Sequence, residues 1–387
     1  MPTPSAIVIG GGPAGACAAY WLRAAGVAVT LVERAPFPRH KPCGEFISPA
    51  ATAELQAVAP GPALLAAGAR RVSTLELVRA GRRVRWPLPV PAWSLSRAAL
   101  DALLLAAAAD PALPAPPLDL RQPAAVSQAW YTDTSAHVRL SDGAQLCADA
   151  VVHADGSGRH DPAGPAPSRR GVVGAKCHLR LRIDPDALVM HAPPVRGGYF
   201  GLVTIGPGLV TCAAVLQRGL LASDASIDRA LRTLWPAYDP ADRDGPWMAC
   251  PVPGSGHIPA GHPRSFRVGN AAAGVEPVGG EGIGLAIWSG TRCARLLTAP
   301  GAPLSRGAAA GAEAMAALAR TQARLARDYR RRLRLRRPAC RAAAWVLEQP
   351  GLSAALWPLL SLPACTLAPW YALTGKPRRV ITTGPAL

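Results

Sequence analysis

Lysine is nearly absent from this 387-residue chain: only Lys41, Lys176 and Lys376 occur, so 39 of the 42 basic side chains (42 less 3) are arginine. Aromatic residues are also scarce, at 5%. The densest basic run, RLARDYRRRLRLRRPACR from Arg324 to Arg341, holds one tyrosine and no stacking platform, so the formal charge of +18 does not point to nucleic acid. Arginine, 41 prolines and long alanine runs form a compositional bias that raises the pI without a polyanionic partner. The nine cysteines include no C-x-x-C pair, which argues against both a disulfide framework and a zinc site, and no metal is expected. Reduced thiols place the chain in the cytoplasm. No apolar run reaches the roughly 18 residues of a spanning helix. The opening MPTPSAIVIGGG lacks the basic region and cleavage site of a secretory signal. With half its residues apolar and 17% charged the chain is not disordered, and its length allows two domains, or one with insertions.

What is present begins at Ala6. AIVI reads as a strand buried on both faces, and VAVTLV as a second. Between them Gly10, Gly12 and Gly15, with Pro13 and Ala14, form G-x-G-x-x-G ahead of a helix-forming stretch. Gly10 permits the tight turn, Gly12 the approach of a pyrophosphate, and Gly15 the packing of helix on sheet. The helix start then offers unpaired N–H groups to the phosphates. Glu33, at the end of the second strand, is placed to accept from an adenosine ribose hydroxyl. It would repel a 2′-phosphate, although Arg34 beside it tempers that preference. The fingerprint does not choose between FAD and NAD.

Three downstream stretches do. SLSRAALDALLLAAA (94–108) is a helix capped by Ser96, with Arg97 in its first turn. CADAVVHADGSGRH ends a strand at Asp155-Gly156. RVGNAAAGVEPVGGEGIGLAIWSG (267–290) is strand, Gly-rich loop and helix. In this order the motifs resemble the FAD-dependent monooxygenase, halogenase and geranylgeranyl reductase superfamily with the p-hydroxybenzoate hydroxylase fold, over residues 1 to 300. PRHKPCGEFISPA is closest to the geranylgeranyl reductase-like branch and to small oxidoreductases found beside type III polyketide synthases.

The resemblance implies an α/β fold: a Rossmann-like FAD-binding domain (1–70, 94–165 and 260–300), an antiparallel substrate sheet (71–93 and 166–259) and a helical C-terminal region (301–387). It assigns Gly10 to Gly15 to the FAD pyrophosphate, Glu33 and Arg34 to the adenosine end, and Arg97 to the phosphates or ribitol. Asp155 and Gly156 close beside the nucleotide. Gly269, Asn270, Pro277, Gly280, Glu281, Gly282 and Ile283 take the ribitol and flavin ring. Amides at the start of the helix after GGEGIG suit the N1–C2=O edge of a reduced flavin. The family usually has Gly-Asp where this chain has Gly269-Asn270, which removes a charge but keeps a hydrogen-bonding group.

The segment around Cys43, Gly44 and Glu45 approaches the flavin by the same resemblance. Gly44 allows close backbone approach. Cys43 either lines the substrate side or is a small packed residue. Glu45 hydrogen-bonds nearby or acts as an acid or base. His40 and Lys41 read as surface charges or phosphate contacts.

With one dinucleotide fingerprint, electrons must come from a transiently bound NAD(P)H, from reduced flavin or from a partner reductase. W-x-W-x-I-P is missing, and halogenation is disfavoured. A monooxygenase or oxidoreductase acting on an apolar secondary metabolite leads. Reduction of isoprenoid double bonds is the alternative, and a flavoprotein that modifies another protein is the third reading. Residues 320–375, basic and then apolar, suit peripheral contact with the inner membrane surface.

Overall fold

The computed structural model describes residues 3–156, 168–193, 195–217, 223–254, 256–305 and 311–377. The Pro-rich linker expected at 161–171 lies largely outside them.

A parallel sheet carries the fingerprint. It comprises β1 (Ser5–Ile9), β2 (Ala28–Val32), β6 (Asp119–Arg121), β10 (Ala150–His153) and β17 (Ser265–Arg267), in the order β17-β10-β1-β2-β6. Ile7 pairs Val151 on one side and Thr30 on the other. β1 therefore has neighbours on both edges, and its apolar run is buried on both faces, as its composition requires. Successive strands run outward from β1 in both directions. The crevice beyond the carboxyl ends of β1 and β10 is thus the topological switch point where such sheets bind ligands.

Two helices sandwich the glycine loop. α1 (Pro13–Ala24) starts with proline at its first position, and α6 (Gly282–Thr298) crosses it. A Cβ on Gly290 would sit 2.0 Å from the Ala14 carbonyl oxygen, and one on Gly15 would sit 1.8 Å from that of Gly10. Small residues here are a condition of contact between backbones. α2 (Thr52–Gln56), α3 (Gly61–Ala66) and α4 (Arg97–Ala108) complete this half. Ser96 caps α4 by accepting from the Ala99 amide at 3.2 Å, as its sequence predicts.

The second sheet has eight strands. β3 (Phe46–Ile47), β4 (Arg70–Arg79), β5 (Arg82–Ser94), β11 (Ser168–Leu179), β12 (Ala187–His191), β13 (Gly198–Gly206), β14 (Leu209–Gln217) and β15 (Met248–Pro253) are ordered β15-β11-β14-β13-β12-β4-β5-β3. The expected antiparallel pairing holds except between β12 and β4, which run parallel. This crossover joins strands separated by more than 90 residues, so no local turn signal could announce it. The expected hairpin β13–β14 turns at Pro207-Gly208, where Gly206 faces Leu209. Alternation sends Ala175, Cys177, Phe200, Leu202, Cys212 and Ala214 outward against α5 (Asp224–Leu234). It sends Gly174, Lys176, His178, Tyr199, Gly201, Thr211, Ala213 and Val215 to the other face, towards the nucleotide half.

Three strands, β7 (Val126–Tyr131), β8 (Ala136–Leu140) and β9 (Gln145–Ala148), form a meander, and β16 (Gly256–His257) pairs β18 (Ala273–Gly274). The C-terminal part holds α7 (Gly311–Glu348), α8 (Pro350–Leu360) and α9 (Ala368–Leu373). At 1.5 Å per residue the 38-residue α7 is about 57 Å long. Leu318, Thr321, Leu325, Tyr329, Leu333, Arg336, Cys340 and Ala344 form its buried stripe at helical spacing. Among the described residues, no helix is long and apolar enough to cross a membrane.

Candidate active site

The glycine loop delivers the amino end of α1 to the switch point. Its first amides lack partners within the helix. The nearest atoms to a Cβ on Gly12 would be Lys41 Nζ at 3.7 Å and Arg97 Nη2 at 3.8 Å. Both cations are gripped by one carboxylate. Asp101, fully buried, accepts from Arg97 Nε and Nη2 at 2.8 Å each and from Lys41 Nζ at 2.8 Å. Burial works against the charge on Arg97, and Asp101 more than restores it. Burial also depresses the Lys41 ammonium, with Asp101 opposing. Two cations and a helix start with one compensating carboxylate make a cradle for a diphosphate. Arg97 and Lys41 thus stand where phosphates are expected. Asp101, which the sequence reading passed over, holds them there.

On the other side of the loop, Glu33 accepts from the Gly11 amide at 2.9 Å, from the Ala35 amide at 3.1 Å and from Arg39 at 3.2 Å. Arg34 is exposed; Arg39, five residues on, is the arginine that meets Glu33. Asp155 and Gly156 follow β10, and a Cβ on Gly10 would strike the Ala154 carbonyl oxygen at 2.6 Å. Both carboxylate oxygens of Asp155 are buried with no hydrogen-bond partner among the described residues. A buried, unpaired carboxylate at a nucleotide switch point fits a polar ligand that supplies the missing donors.

The second loop comes from the other end of the domain. Gly269 has φ +59°, and its amide donates to Ser289 Oγ at 2.8 Å. Asn270 is exposed in the turn that follows. Pro277 opens a further turn that ends at Gly280, φ +62°, where a Cβ would lie 2.4 Å from Phe46 Cδ1. The loop containing Cys43 to Phe46 therefore packs directly on the loop that starts α6. Gly282 and Ile283 begin that helix, so its free amides face the same crevice.

The Glu281 carboxylate turns away from the crevice. It accepts from Ser48 Oγ at 3.2 Å, pairs closely with Lys376, which follows α9, and lies 3.9 Å from Arg336 of α7. Arg336 in turn holds the Thr374 and Gly375 carbonyls. The backbone of Glu281 belongs to the loop expected to take the cofactor, and its side chain ties that loop to the C-terminal helices. Lys376→Met is expected to destabilise the fold by about 2 kcal/mol, the worth of a buried charged hydrogen bond, measured by urea titration.

Glu45 is the hub of the site. Its φ is +55°, uncommon for a residue with a side chain, and it is fully buried. Its carboxylate accepts from Lys176 Nζ at 3.0 Å, the Arg97 amide at 2.7 Å and Thr211 Oγ1, and lies 2.8 Å from His178 Nε2. Burial opposes its charge, but His178, Lys176, Thr211 and the Arg97 amide overcome it and pull its pKa down to about 2. A carboxylate so held favours its ionised form, and it joins the substrate sheet to the start of α4. His40 stacks edge-on against His178 at 4.9 Å. The potential ligand atoms of His40, Glu45 and His178 lie within 4.8 Å of one another, but Lys176 already supplies the positive charge there. Cys43 is half-buried, and its Sγ accepts from the Glu45 amide at 3.4 Å. Gly44 is exposed and approaches Ala213 of the inner sheet face. Lys176 and His178 share one face of β11. A lysine within GVVGAKCHL, in a chain with three, was the signal that could have revealed them.

A family model described as an FAD binding domain matches residues 3–84. A menaquinone reductase of Mycobacterium tuberculosis is 30% identical over 327 residues, covering 75% of this chain and 76% of that protein. The chain belongs to the same family of FAD-dependent oxidoreductases. A menaquinone reductase of Mycolicibacterium smegmatis is 29% identical, with 76% of each chain covered. Among solved structures, a geranylgeranyl bacteriochlorophyll reductase-like protein of Thermoplasma acidophilum superposes with a TM-score of 0.74 at 17% identity, covering 97% and 96% of the two chains. PqsL of Pseudomonas aeruginosa, solved with 2-aminobenzoylacetate, gives 0.71 at 20% identity, covering 92% and 100%. These two likenesses show the p-hydroxybenzoate hydroxylase-like fold. Bound FAD supplies this flavoenzyme with two-electron redox chemistry. Arg97, Lys41 and the amides at the start of α1 would hold its phosphates, while Glu45 joins the substrate sheet to the start of α4 and Lys376 ties down the second loop.

Proposed function

We propose that the flavoenzyme reduces a carbon–carbon double bond in an apolar, isoprenoid-bearing substrate such as a menaquinone. The inner face of the large sheet carries the proposal. Opposite Gly44 it presents the small residues Gly174, Gly201 and Ala213, and Ala213 Cβ comes within 3.7 Å of where a Cβ on Gly44 would lie. Beyond them the surface is apolar: Tyr199, Val215 and Val252 form one buried cluster with Met190 and Val278, closed by Ala344 and Leu347 of α7. An apolar face of this kind beside the flavin crevice suits a hydrocarbon chain and excludes water. The relatives named menaquinone reductase support the substrate class.

Electrons would arrive from NAD(P)H bound transiently or from a partner reductase, with the enzyme working on the cytoplasmic side. The test is anaerobic incubation of the dithionite-reduced enzyme with menaquinone, followed by mass spectrometry. A gain of two hydrogens in the prenyl tail is expected. Reduction confined to the quinone ring, or no conversion, overturns the reading. Incorporation of an oxygen atom under air would instead establish the monooxygenase that leads from sequence alone.

A further inference from the structure

We propose that the outer face of α7, together with α8 and α9, docks the enzyme on an anionic phospholipid bilayer. Arg320, Arg324, Arg327, Arg331, Arg334 and Arg341 are all exposed, and their spacing places them on one continuous stripe of α7. None has an ion-pair partner among the described residues. The acids of α7 do not neutralise the stripe: Glu313 and Glu348 lie at its two ends, and Asp328 binds Arg292 of α6 at 2.8 Å. Next along the stripe comes Trp345, 58% exposed.

From there the surface changes character. Residues 349–375 include no charged side chain, and Leu359, Leu362 and Leu373 are between 46% and 58% exposed. Single exposed leucines are ordinary. An unpartnered arginine row that runs into an uncharged apolar patch is the pattern of a surface that meets lipid headgroups and acyl chains together. Arg320, Arg324, Arg327 and Arg330 also line an open groove of about 710 Å³ against the 299–303 turn. The position suits the substrate as well. Ala344 and Leu347 close the apolar end of the inner sheet face, while Trp345 between them points outward. Only this last point rests on the proposed reduction of an isoprenoid.

The experiment is co-sedimentation of the full-length, FAD-loaded protein with vesicles. Vesicles containing phosphatidylglycerol should pull the protein down, those of phosphatidylcholine alone should not, and raised salt should release it. Each arginine replaced should weaken partitioning roughly fivefold at low salt. Arg327→Gln/Arg331→Gln/Arg334→Gln together should then lose about a hundredfold, with the flavin spectrum unchanged as proof of folding. Trp345→Ser/Leu359→Ser should weaken binding in both low and high salt. Failure to sediment with anionic vesicles overturns the proposal. So does equal binding to both vesicle types, or a self-association in sedimentation velocity that the same substitutions abolish, which would make the face a contact between copies. Vesicle binding without reduction of menaquinone would sink the reductase reading and leave the docking face standing.

Discussion

Glu45→Ala will lower stability by about 3–5 kcal/mol and abolish turnover, because it leaves Lys176 buried without a counter-charge. The same substitution cuts the tie between the Arg97 amide and the substrate sheet. Urea titration measures the first effect, and steady-state assay the second. The pH dependence follows from the same carboxylate. Folding favours its ionised form, with a pKa of about 2 against an ordinary 4.5, so its contribution is complete above pH 4.5 and is withdrawn as the pH falls towards 2. Over that range the wild type should lose about 3 kcal/mol more than Glu45→Gln. Parallel acid titrations of the two proteins would refute the hub.

A second substitution separates binding from folding. Gly12→Val is expected to give a folded protein that has lost FAD affinity by at least ~100-fold, or ~2.7 kcal/mol. Nothing lies within 3.7 Å of a Cβ at Gly12, so the chain tolerates the side chain while the phosphates do not. Gly15→Ala, only three residues on, should fail to fold, since its Cβ would meet the Gly10 carbonyl oxygen at 1.8 Å. Circular dichroism with flavin fluorescence distinguishes the two. A yellow Gly12→Val protein would remove the phosphate cradle from consideration.

The contrast between these two substitutions also marks what the sequence made legible. The fingerprint is local: strand, turn, helix and strand occupy residues 5 to 32, and each glycine has a reason within that span. The cap at Ser96 was likewise readable, because it and the amide it accepts from are three residues apart. The hub was not. Lys176 lies 131 residues from Glu45, and Thr211 lies 166 away. Only the register of β11 against β14 brings His178 opposite Thr211. The partners of the Glu281 side chain were not readable, for the same reason. Its motif identifies the loop, but Lys376 and Arg336, the cations beside the carboxylate, sit beyond the residues that the family pattern covers.

The pairing of Glu281 with Lys376 has a consequence for how the cofactor seat is completed. The α1 amides come from the first few per cent of the chain, and the ammonium that fastens the opposing loop comes from residue 376. A product truncated before that lysine would retain every dinucleotide motif, and still present a flavin seat with one wall unfastened.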